Sequence, residues 1–417
     1  MSGAGLMVGL LLSAAQAPRR WEPAFACLAV AAGDLDGDGR PDLVSARVLA
    51  NEVRVRVSSG VDVRHRVVGL RTDGSPSSVA LADVDGDGKL DLVVGCASGR
   101  IDVFVNRAGE TTGGAPFSSR SRLYANRGVS AVAVGDFNGD GRPDIAATDA
   151  AAGGLSLLFN LGSKGTGAAF DEIMPTDGFE KALSDLPLPE RGGRFRDTSL
   201  PEFPPCPFAP KNSPSPSACY RTGRSPEAGA VGDFNGDGKP DLAVANGLDA
   251  TVGIFLNKGD GTFRDMVAYP VGKGPIWIAV GDFDGDGKPD LAVADFYGED
   301  EHGRLSLLRG EGDGTFEPEL KLAAGPAPVA VASADFDGDG RPDLAVAESG
   351  QGVGKTVTVL RGLGGMKFAA PVEVWVPQSP NALAVGDMDG DGKPDLVVAT
   401  TQGVAILHNL GAKGFER

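Results

Sequence analysis

The chain has 417 residues, of which 56 are Asp or Glu and 39 are Lys or Arg, so its formal net charge is −17. An acidic excess of this size gives no support to nucleic-acid binding, which needs a basic surface. No apolar run is long enough to span a bilayer. The sequence therefore predicts a protein with neither a membrane span nor a nucleic-acid partner.

The first 17 residues have the pattern of a secretory signal peptide. Residues 6–15 are apolar, and Ala15-Gln16-Ala17 matches a cleavage site, although no Lys or Arg precedes the run. Cleavage after Ala15 and cleavage after Ala17 both remain open, because Pro18 would hinder the second. We expect a signal peptide over residues 1–17 and a secreted protein, located extracellularly, in the periplasm or on the cell surface.

One nine-residue motif, Asp-x-[Asp/Asn]-Gly-Asp-Gly-[Lys/Arg]-[Pro/Leu]-Asp, occurs seven times. The copies begin at Asp34, Asp83, Asp136, Asp233, Asp282, Asp335 and Asp387. Oxygen ligands at alternate positions suit Ca²⁺, which takes roughly six to eight of them, and the interleaved glycines let the backbone curl around the ion. We predict up to seven bound Ca²⁺, which would offset 14 of the 17 net negative charges.

The predicted ligands of each loop are the side chains at positions one, three, five and nine and the backbone carbonyl at position seven. Loop by loop they are Asp34, Asp36, Asp38, Arg40 and Asp42; Asp83, Asp85, Asp87, Lys89 and Asp91; Asp136, Asn138, Asp140, Arg142 and Asp144; Asp233, Asn235, Asp237, Lys239 and Asp241; Asp282, Asp284, Asp286, Lys288 and Asp290; Asp335, Asp337, Asp339, Arg341 and Asp343; and Asp387, Asp389, Asp391, Lys393 and Asp395. The Lys or Arg at position seven also moderates the repulsion between the carboxylates. The apolar side chain at position two is predicted to pack between neighbouring repeats.

The residues around the loops exclude EF-hands and indicate β-strands. An EF-hand needs a bidentate Glu at its twelfth position. The twelfth residues here are Ser45, Val94, Ala147, Val244, Val293, Val346 and Val398. Short apolar runs of β type precede and follow each loop, and a third and a fourth run come before the next copy. Each repeat is therefore predicted to be four-stranded, with its loop between the first and second strands.

Successive loops begin 49, 53, 97, 49, 53 and 52 residues apart, and periods of this size indicate a propeller or a solenoid. The chain after the last loop lacks a fourth strand, which residues 19–24 can supply. A blade shared in this way closes a ring and leaves no free sheet edge. We predict an all-β, seven-bladed β-propeller of four-stranded blades over residues 18–417, with the last blade closed by both termini.

The repeats resemble the FG-GAP and VCBS-type repeats of bacterial secreted proteins and of the integrin α-subunit propeller. The resemblance covers roughly residues 19–415, apart from one insertion. It implies that the seven calcium loops share one face and that the loops between second and third strands form the opposite face, where such propellers commonly bind ligands. Because one propeller scaffold hosts adhesion, sugar binding and catalysis, the resemblance does not fix the function.

The long interval contains an insertion over residues 171–216, which holds ten of the chain's 29 prolines. This composition predicts an extended excursion from the outer rim of the calcium-loop face, and a spacer without function is an equal alternative. The fourth strand should resume near Ser217. Cys206 and Cys219 could form a disulfide at the end of the insertion, and Cys27 and Cys96 are a second candidate pair.

Residues suited to catalysis or ligand binding are few. The sequence has no Gly-x-Ser-x-Gly elbow, no His-Glu-x-x-His and no phosphate loop. His302 could bind a metal together with Glu299, Asp300 and Glu301, or this segment is a solvated acidic loop. Trp277 could mark one asymmetric ligand site, or it fills the core.

We therefore expect a secreted, monomeric, calcium-binding module that binds or adheres to an extracellular protein or carbohydrate and is not an enzyme. The alternative is a polysaccharide-active lyase or hydrolase, or a lectin, that uses the face opposite the calcium loops. A symmetric lectin is disfavoured, because six of the seven positions equivalent to Trp277 hold Ala or Ser.

Overall fold

The computed structural model describes residues 27–57, 66–108, 117–125, 128–150, 153–162, 219–297, 303–349, 356–411 and 414–416. They form seven four-stranded antiparallel sheets, and within each sheet the strands are paired in chain order. The prediction of an all-β protein of four-stranded repeats is confirmed. Nowhere in these ranges does a helix have the length and hydropathy needed to cross a membrane.

Each sheet is one blade. Blade one contains β1 (Cys27–Gly33), β2 (Asp42–Arg47), β3 (Glu52–Val57) and β4 (Arg66–Arg71), with a 3-10 helix at Val48–Ala50, and blade two contains β5 (Pro76–Ala82), β6 (Asp91–Cys96), β7 (Arg100–Asn106) and β8 (Phe117–Tyr124). Blade three contains β9 (Ala131–Gly135), β10 (Asp144–Asp149), β11 (Gly154–Leu158) and β12 (Cys219–Arg221), and blade four contains β13 (Pro226–Gly232), β14 (Asp241–Asn246), β15 (Thr251–Phe255) and β16 (Val267–Pro270).

Blade five contains β17 (Lys273–Gly281), β18 (Asp290–Tyr297), β19 (Arg304–Leu308) and β20 (Leu320–Ala323). Blade six contains β21 (Pro328–Ala334), β22 (Asp343–Glu348), β23 (Thr356–Leu360) and β26 (Val372–Trp375), and a small hairpin of β24 (Gly362–Gly364) and β25 (Lys367–Phe368) precedes its fourth strand. Blade seven contains β27 (Pro380–Gly386), β28 (Asp395–Thr400), β29 (Gly403–Asn409) and β30 (Phe415–Glu416).

The first strands of the blades form a closed ring. Each first strand contacts the first strand of the next blade, in the order β1, β5, β9, β13, β17, β21 and β27, and β27 in turn contacts β1. A solenoid would leave β1 and β27 far apart. The fold is therefore a seven-bladed β-propeller, as the spacing of the loops predicts.

The closure of blade seven is described only in part. Strand β30 pairs with the last two residues of β29, through His408 with Glu416 and Asn409 with Phe415. The sequence predicts that the chain after the last loop lacks a fourth strand, whereas β30 pairs with β29 there. Residues 19–24, which are predicted to supply the fourth strand, lie outside the described residues, so closure by the N-terminal segment stays a prediction. The signal peptide and the insertion over residues 171–216 also lie outside them. Strand β12 begins at Cys219, close to the predicted resumption near Ser217.

The apolar side chain at loop position two packs between blades, as predicted. Phe137, Phe234, Phe283 and Phe336 are buried. Each meets a phenylalanine that follows the third strand of the next blade, with centroid distances of 5.8, 5.6, 6.0 and 5.5 Å to Phe263, Phe316, Phe368 and Phe415 respectively. The Asp-rich loop of one blade is thereby packed against the next blade.

Trp277 belongs to the core. It is 2% exposed and lies in the hydrophobic cluster that includes Ala294 and Leu305 of the same blade and Val329 of the next. A side chain buried to this degree offers no platform to a ligand. The interpretation of Trp277 as a ligand-binding residue is therefore wrong, and the alternative, core filling, is confirmed.

Candidate metal centres

Each loop is folded around the carboxylate at its first position. In blade one, Asp34 Oδ1 accepts hydrogen bonds from the backbone N–H groups of Gly37 at 2.7 Å and Asp38 at 3.2 Å, and Asp34 Oδ2 accepts one from Gly39 at 2.8 Å. Gly37 and Gly39 have φ angles of 82° and 83°, which residues with a side chain rarely adopt. The two glycines of the motif therefore allow the tight curl that the sequence predicts.

The side chains at positions three and five each accept a hydrogen bond from the backbone N–H group two residues further along the same turn. Asp36 Oδ1 accepts the N–H of Asp38 at 3.1 Å, and Asp38 Oδ1 accepts the N–H of Arg40 at 2.9 Å. Each carboxylate uses one oxygen in these contacts and keeps the other for a further partner. The same contacts recur in the loop at Asp282, where Asp284 and Asp286 take these positions.

The carboxylate at position nine has a second role that the sequence analysis missed. In all seven loops this residue is fully buried at the start of the second strand. In blade two, Asp91 Oδ2 accepts the N–H of Val84 at 2.9 Å, and Asp91 Oδ1 accepts the N–H of Asn106 at 2.7 Å. The ninth residue thus ties its loop to the third strand whether or not it also binds a cation.

Burial changes the acidity of these residues. It raises the pKa of Asp91 and Asp144 to about 7 and the pKa of Asp241 and Asp290 to about 6, although two backbone N–H donors oppose the shift in each case. Nearby loop carboxylates raise these pKa values further. A divalent cation beside the carboxyl groups would favour their charged form.

The structure brings predicted ligands together in several loops. Carboxylate oxygens lie within 4.8 Å of one another at positions one, three and nine of the loops that begin at Asp34, Asp83 and Asp282, and at positions one, three and five of the loop at Asp335. Clustered carboxylates of this kind fit a hard divalent cation, which prefers oxygen ligands. The carbonyl at position seven stays a predicted ligand.

The basic residue at loop position seven lies close to the loop carboxylates, as expected. In the loops of blades two to seven, the Lys or Arg at position seven pairs with the carboxylate at position five, for example Lys239 with Asp237 at 2.9 Å and Lys288 with Asp286 at 3.0 Å. This confirms that the residue at position seven moderates the repulsion within the loop.

A second set of cations comes from the end of the third strand, and the sequence analysis did not identify it. The Arg107 guanidinium lies 2.8 Å from Asp85 and 3.1 Å from Asp87, and that of Arg309 contacts Asp284 and lies 3.2 Å from Asp286. These arginines contact the carboxylates at positions three and five. Strand pairing places Arg107 two residues further along its blade than Arg309, so an alignment of the third strands shows these basic residues at two different positions.

The face opposite the metal loops has its own polar cluster. Asp295 is fully buried at the end of β18, accepts a hydrogen bond from Ser306 Oγ at 2.6 Å and lies 3.5 Å from Arg304 Nε. Burial raises its pKa to about 7. The loop that joins β18 to β19 is thus tied at its base by Asp295 and Ser306. Its centre, residues 298–302 with Glu299, Asp300, Glu301 and His302, lies outside the described residues.

Exposed apolar side chains are also present. On the face opposite the metal loops, Leu49 and Leu248 follow second strands and Tyr297 ends one, and they are 62, 70 and 50% exposed respectively. Trp375, at the end of the outermost strand of blade six, is 62% exposed. Trp375 is not among the candidate ligand-binding residues that the sequence suggests. In β26, Val372, Glu373 and Trp375 are exposed and Val374 is half-buried, so no alternation along the strand marks Trp375.

Cys219 is disulfide-bonded. Cys206, which the sequence suggests as its partner, lies outside the described residues. The predicted pairing of Cys27 with Cys96 is wrong, because Cys96 is buried and is not disulfide-bonded. Its thiol donates a hydrogen bond to Asp102 Oδ2 at 3.8 Å.

Comparison with known families identifies the repeats. The model of the FG-GAP-like repeat matches residues 34–94, 83–147, 233–293, 282–346 and 335–398, and that of the FG-GAP repeat matches residues 128–169. The chain belongs to the FG-GAP-like repeat family. The matched segments together cover more than half of the chain and include all seven loops. No curated protein matches this FG-GAP protein.

Solved structures resemble the FG-GAP protein in fold. Two crystal structures of BBS1N in complex with ARL6DN, soaked with mercury and with lead, each give a TM-score of 0.56 at 13% identity. The matches cover 95 and 93% of this chain and 97 and 93% of BBS1N. The biofilm matrix protein Bap1 of V. cholerae gives a TM-score of 0.44 at 13% identity, over 94% of this chain and 89% of Bap1. At these identities the likeness concerns the fold alone.

Proposed function

We propose that this protein is an exported, calcium-stabilised β-propeller that serves as a binding or adhesion module for an extracellular protein or carbohydrate. The observation that carries the proposal is the repeated clustering of carboxylate oxygens within 4.8 Å in loops that pack against the neighbouring blade. Ca²⁺ suits such oxygen-only sites. We assign Ca²⁺ a structural role, because the loops pack each blade against the next.

The ligand is proposed to bind on the face opposite the metal loops or at the adjoining rim. Tyr297 and Trp375 are at least half exposed, and aromatic residues of this kind are enriched in recognition surfaces. The loop carboxylates are committed to the cation and to backbone N–H groups. The proposal accordingly assigns the protein no catalysis of its own and a monomeric state.

Two measurements test the proposed function. Equilibrium dialysis of the purified chain against Ca²⁺ should give several bound ions per chain, with seven as the limit. Arrays of extracellular matrix proteins and glycans, probed in Ca²⁺ and again in a chelator, should identify a calcium-dependent ligand. A turnover assay on any glycan that binds separates the proposal from a polysaccharide-active enzyme, because cleavage of that glycan would overturn the non-catalytic role.

The proposed surface has its own test with matched variants. Trp375→Ala should weaken binding of the identified ligand by about tenfold or more, as loss of a central aromatic contact does. Leu161→Ala, which alters an exposed apolar residue at the end of a third strand, is the control. If Trp375→Ala and Tyr297→Ala both bind like the unmodified protein, the ligand site lies elsewhere.

A further inference from the structure

The loop of blade seven contains a nitrogen ligand as well as carboxylates. His408 lies in β29, and its Nδ1 is 3.3 Å from Asp395 Oδ2 and 3.5 Å from Asp389 Oδ2. The ligand atoms of these three residues lie within 4.8 Å of one another. Among the described residues, the other metal-ligand groups specified above consist of carboxylates alone.

A side chain at the position of His408 can reach into the Asp-rich loop of its own blade. The register of the second and third strands places six residues at equivalent positions, namely Val57, Val105, Phe159, Leu256, Arg309 and Arg361. Arg309 contacts Asp284, and Arg361 Nε lies 3.7 Å from Asp337. In blades five, six and seven, this side chain therefore reaches the carboxylate at loop position three.

The chemistry of this position differs between blades. A guanidinium stays protonated and has no lone pair to give, and Val, Leu and Phe have no ligand atom. A neutral imidazole donates a lone pair from its unprotonated nitrogen. Of the seven equivalent residues, His408 alone can therefore join the carboxylates as a metal ligand.

We propose that the loop of blade seven binds a divalent transition-metal cation through His408 Nδ1, Asp389 and Asp395. Imidazole suits Zn²⁺, Co²⁺, Ni²⁺ and Cu²⁺, whereas Ca²⁺ takes oxygen ligands. Binding requires the tautomer that carries its proton on Nε2, and the two carboxylates supply the charge that neutralises the cation. The inference rests on the proposed function, because both take the loops to be cation sites.

Co²⁺ is a suitable probe, because its visible absorption reports nitrogen ligation and its stoichiometry can be measured by dialysis. The full chain is titrated with Co²⁺ in excess Ca²⁺. One Co²⁺ per chain should remain bound. Loss of a residue that only supports a metal ligand lowers metal affinity by roughly 10- to 100-fold. His408→Val removes a ligand itself, so it should lower the affinity for Co²⁺ by more than that. Val stands at the equivalent position in blades one and two, so the substitution has a precedent in the fold.

Two further variants make the assignment specific. The double variant His65→Gln with His302→Gln removes the two other histidines of the chain and should keep the bound Co²⁺. Arg361→His places an imidazole at the equivalent position in blade six and should create a second Co²⁺ site. The gain of a site by Arg361→His tests the geometry even if His408→Val folds poorly.

The outcomes separate this inference from the proposed function. If Ca²⁺ binds but Co²⁺ is displaced by it from every site, or if His408→Val retains Co²⁺, then His408 only pairs with its carboxylates and the inference is overturned. If neither Ca²⁺ nor Co²⁺ binds, the calcium proposal falls as well.

Discussion

The side-chain amide of Asn106 donates a hydrogen bond of 2.7 Å to the backbone carbonyl of Leu35, which lies 71 residues earlier in the preceding blade. Equivalent bonds join Asn160 to Val84 at 2.6 Å and Asn409 to Phe336 at 2.8 Å. All three donors and acceptors are buried. The end of one third strand is thereby attached to the metal loop of the blade before it, so the loops act as joints of the ring.

We expect Asn106→Ala to destabilise the protein more than Asn257→Ala. Asn257 bonds within its own blade, to the carbonyl of Pro240 at 3.1 Å, and serves as the matched control. The additional cost for Asn106→Ala should be roughly 1–3 kcal/mol, because the buried carbonyl of Leu35 loses its donor. Chemical denaturation of both variants measures this difference, and equal midpoints would show that the bond between blades contributes nothing.

Asp290→Ala and Asp286→Ala should separate the structural role of a loop from cation binding. Asp290 accepts the N–H groups of Phe283 and Gly310, each at 2.8 Å, and its loss leaves both buried donors unsatisfied. Asp290→Ala should therefore cost roughly 2–5 kcal/mol of unfolding free energy even without Ca²⁺. Asp286→Ala should reduce the number of bound Ca²⁺ by one and leave the other sites loaded.

Calcium titration of the two variants measures the number of bound ions, and denaturation in chelator measures their calcium-free stability. Similar losses of calcium-free stability for Asp286→Ala and Asp290→Ala would argue against the distinction between position five and position nine.

The Arg309 guanidinium contacts Asp284 and lies 3.2 Å from Asp286, so it would compete with a cation bound in this loop. Arg309→Leu introduces the residue found at the equivalent position in blade four, and it should tighten Ca²⁺ binding in the loop of blade five. The gain should be at most about fivefold, because a partly exposed ion pair is worth roughly 0.2–1 kcal/mol. The affinity for Ca²⁺ is measured by its competition with Tb³⁺, whose luminescence reports how much Tb³⁺ is bound. Weaker binding by Arg309→Leu would instead assign Arg309 a supporting role.

Stability should depend on pH through Asp295. Burial raises its folded pKa to about 7 from a usual value of 3.8, so the folded state binds a proton that the unfolded state releases. Its contribution is present below pH 4 and is lost as the pH rises through 7, with a slope of up to about 1.4 kcal/mol per pH unit. Asp295→Asn should remove this slope in the calcium-saturated protein, whereas Asp265→Asn, at an exposed site, should keep it. An unchanged slope in Asp295→Asn would assign the pH dependence to other groups.

Much of this account could be predicted from the sequence because the fold is periodic. The motif that begins at Asp34 and recurs six times predicts the loops, the flanking strands and the number of blades. The second role of Asp91 could not be predicted, because it depends on Asn106 being brought next to the loop by strand pairing. Trp277 and Trp375 are the same residue type, and only the packing of the blades buries one and exposes the other.

Calorimetric unfolding of the full chain in Ca²⁺, and again after chelation in the presence of Mg²⁺, tests the central claim most directly. The account predicts a lower unfolding temperature after chelation, because each bound Ca²⁺ stabilises the folded state by mass action and clustered carboxylates repel one another without it. The total effect should be several kcal/mol, and it should be recovered when Ca²⁺ is restored. An unfolding temperature that is the same in Ca²⁺ and in chelator would contradict the proposal that the Asp-rich loops are calcium sites that hold the propeller together.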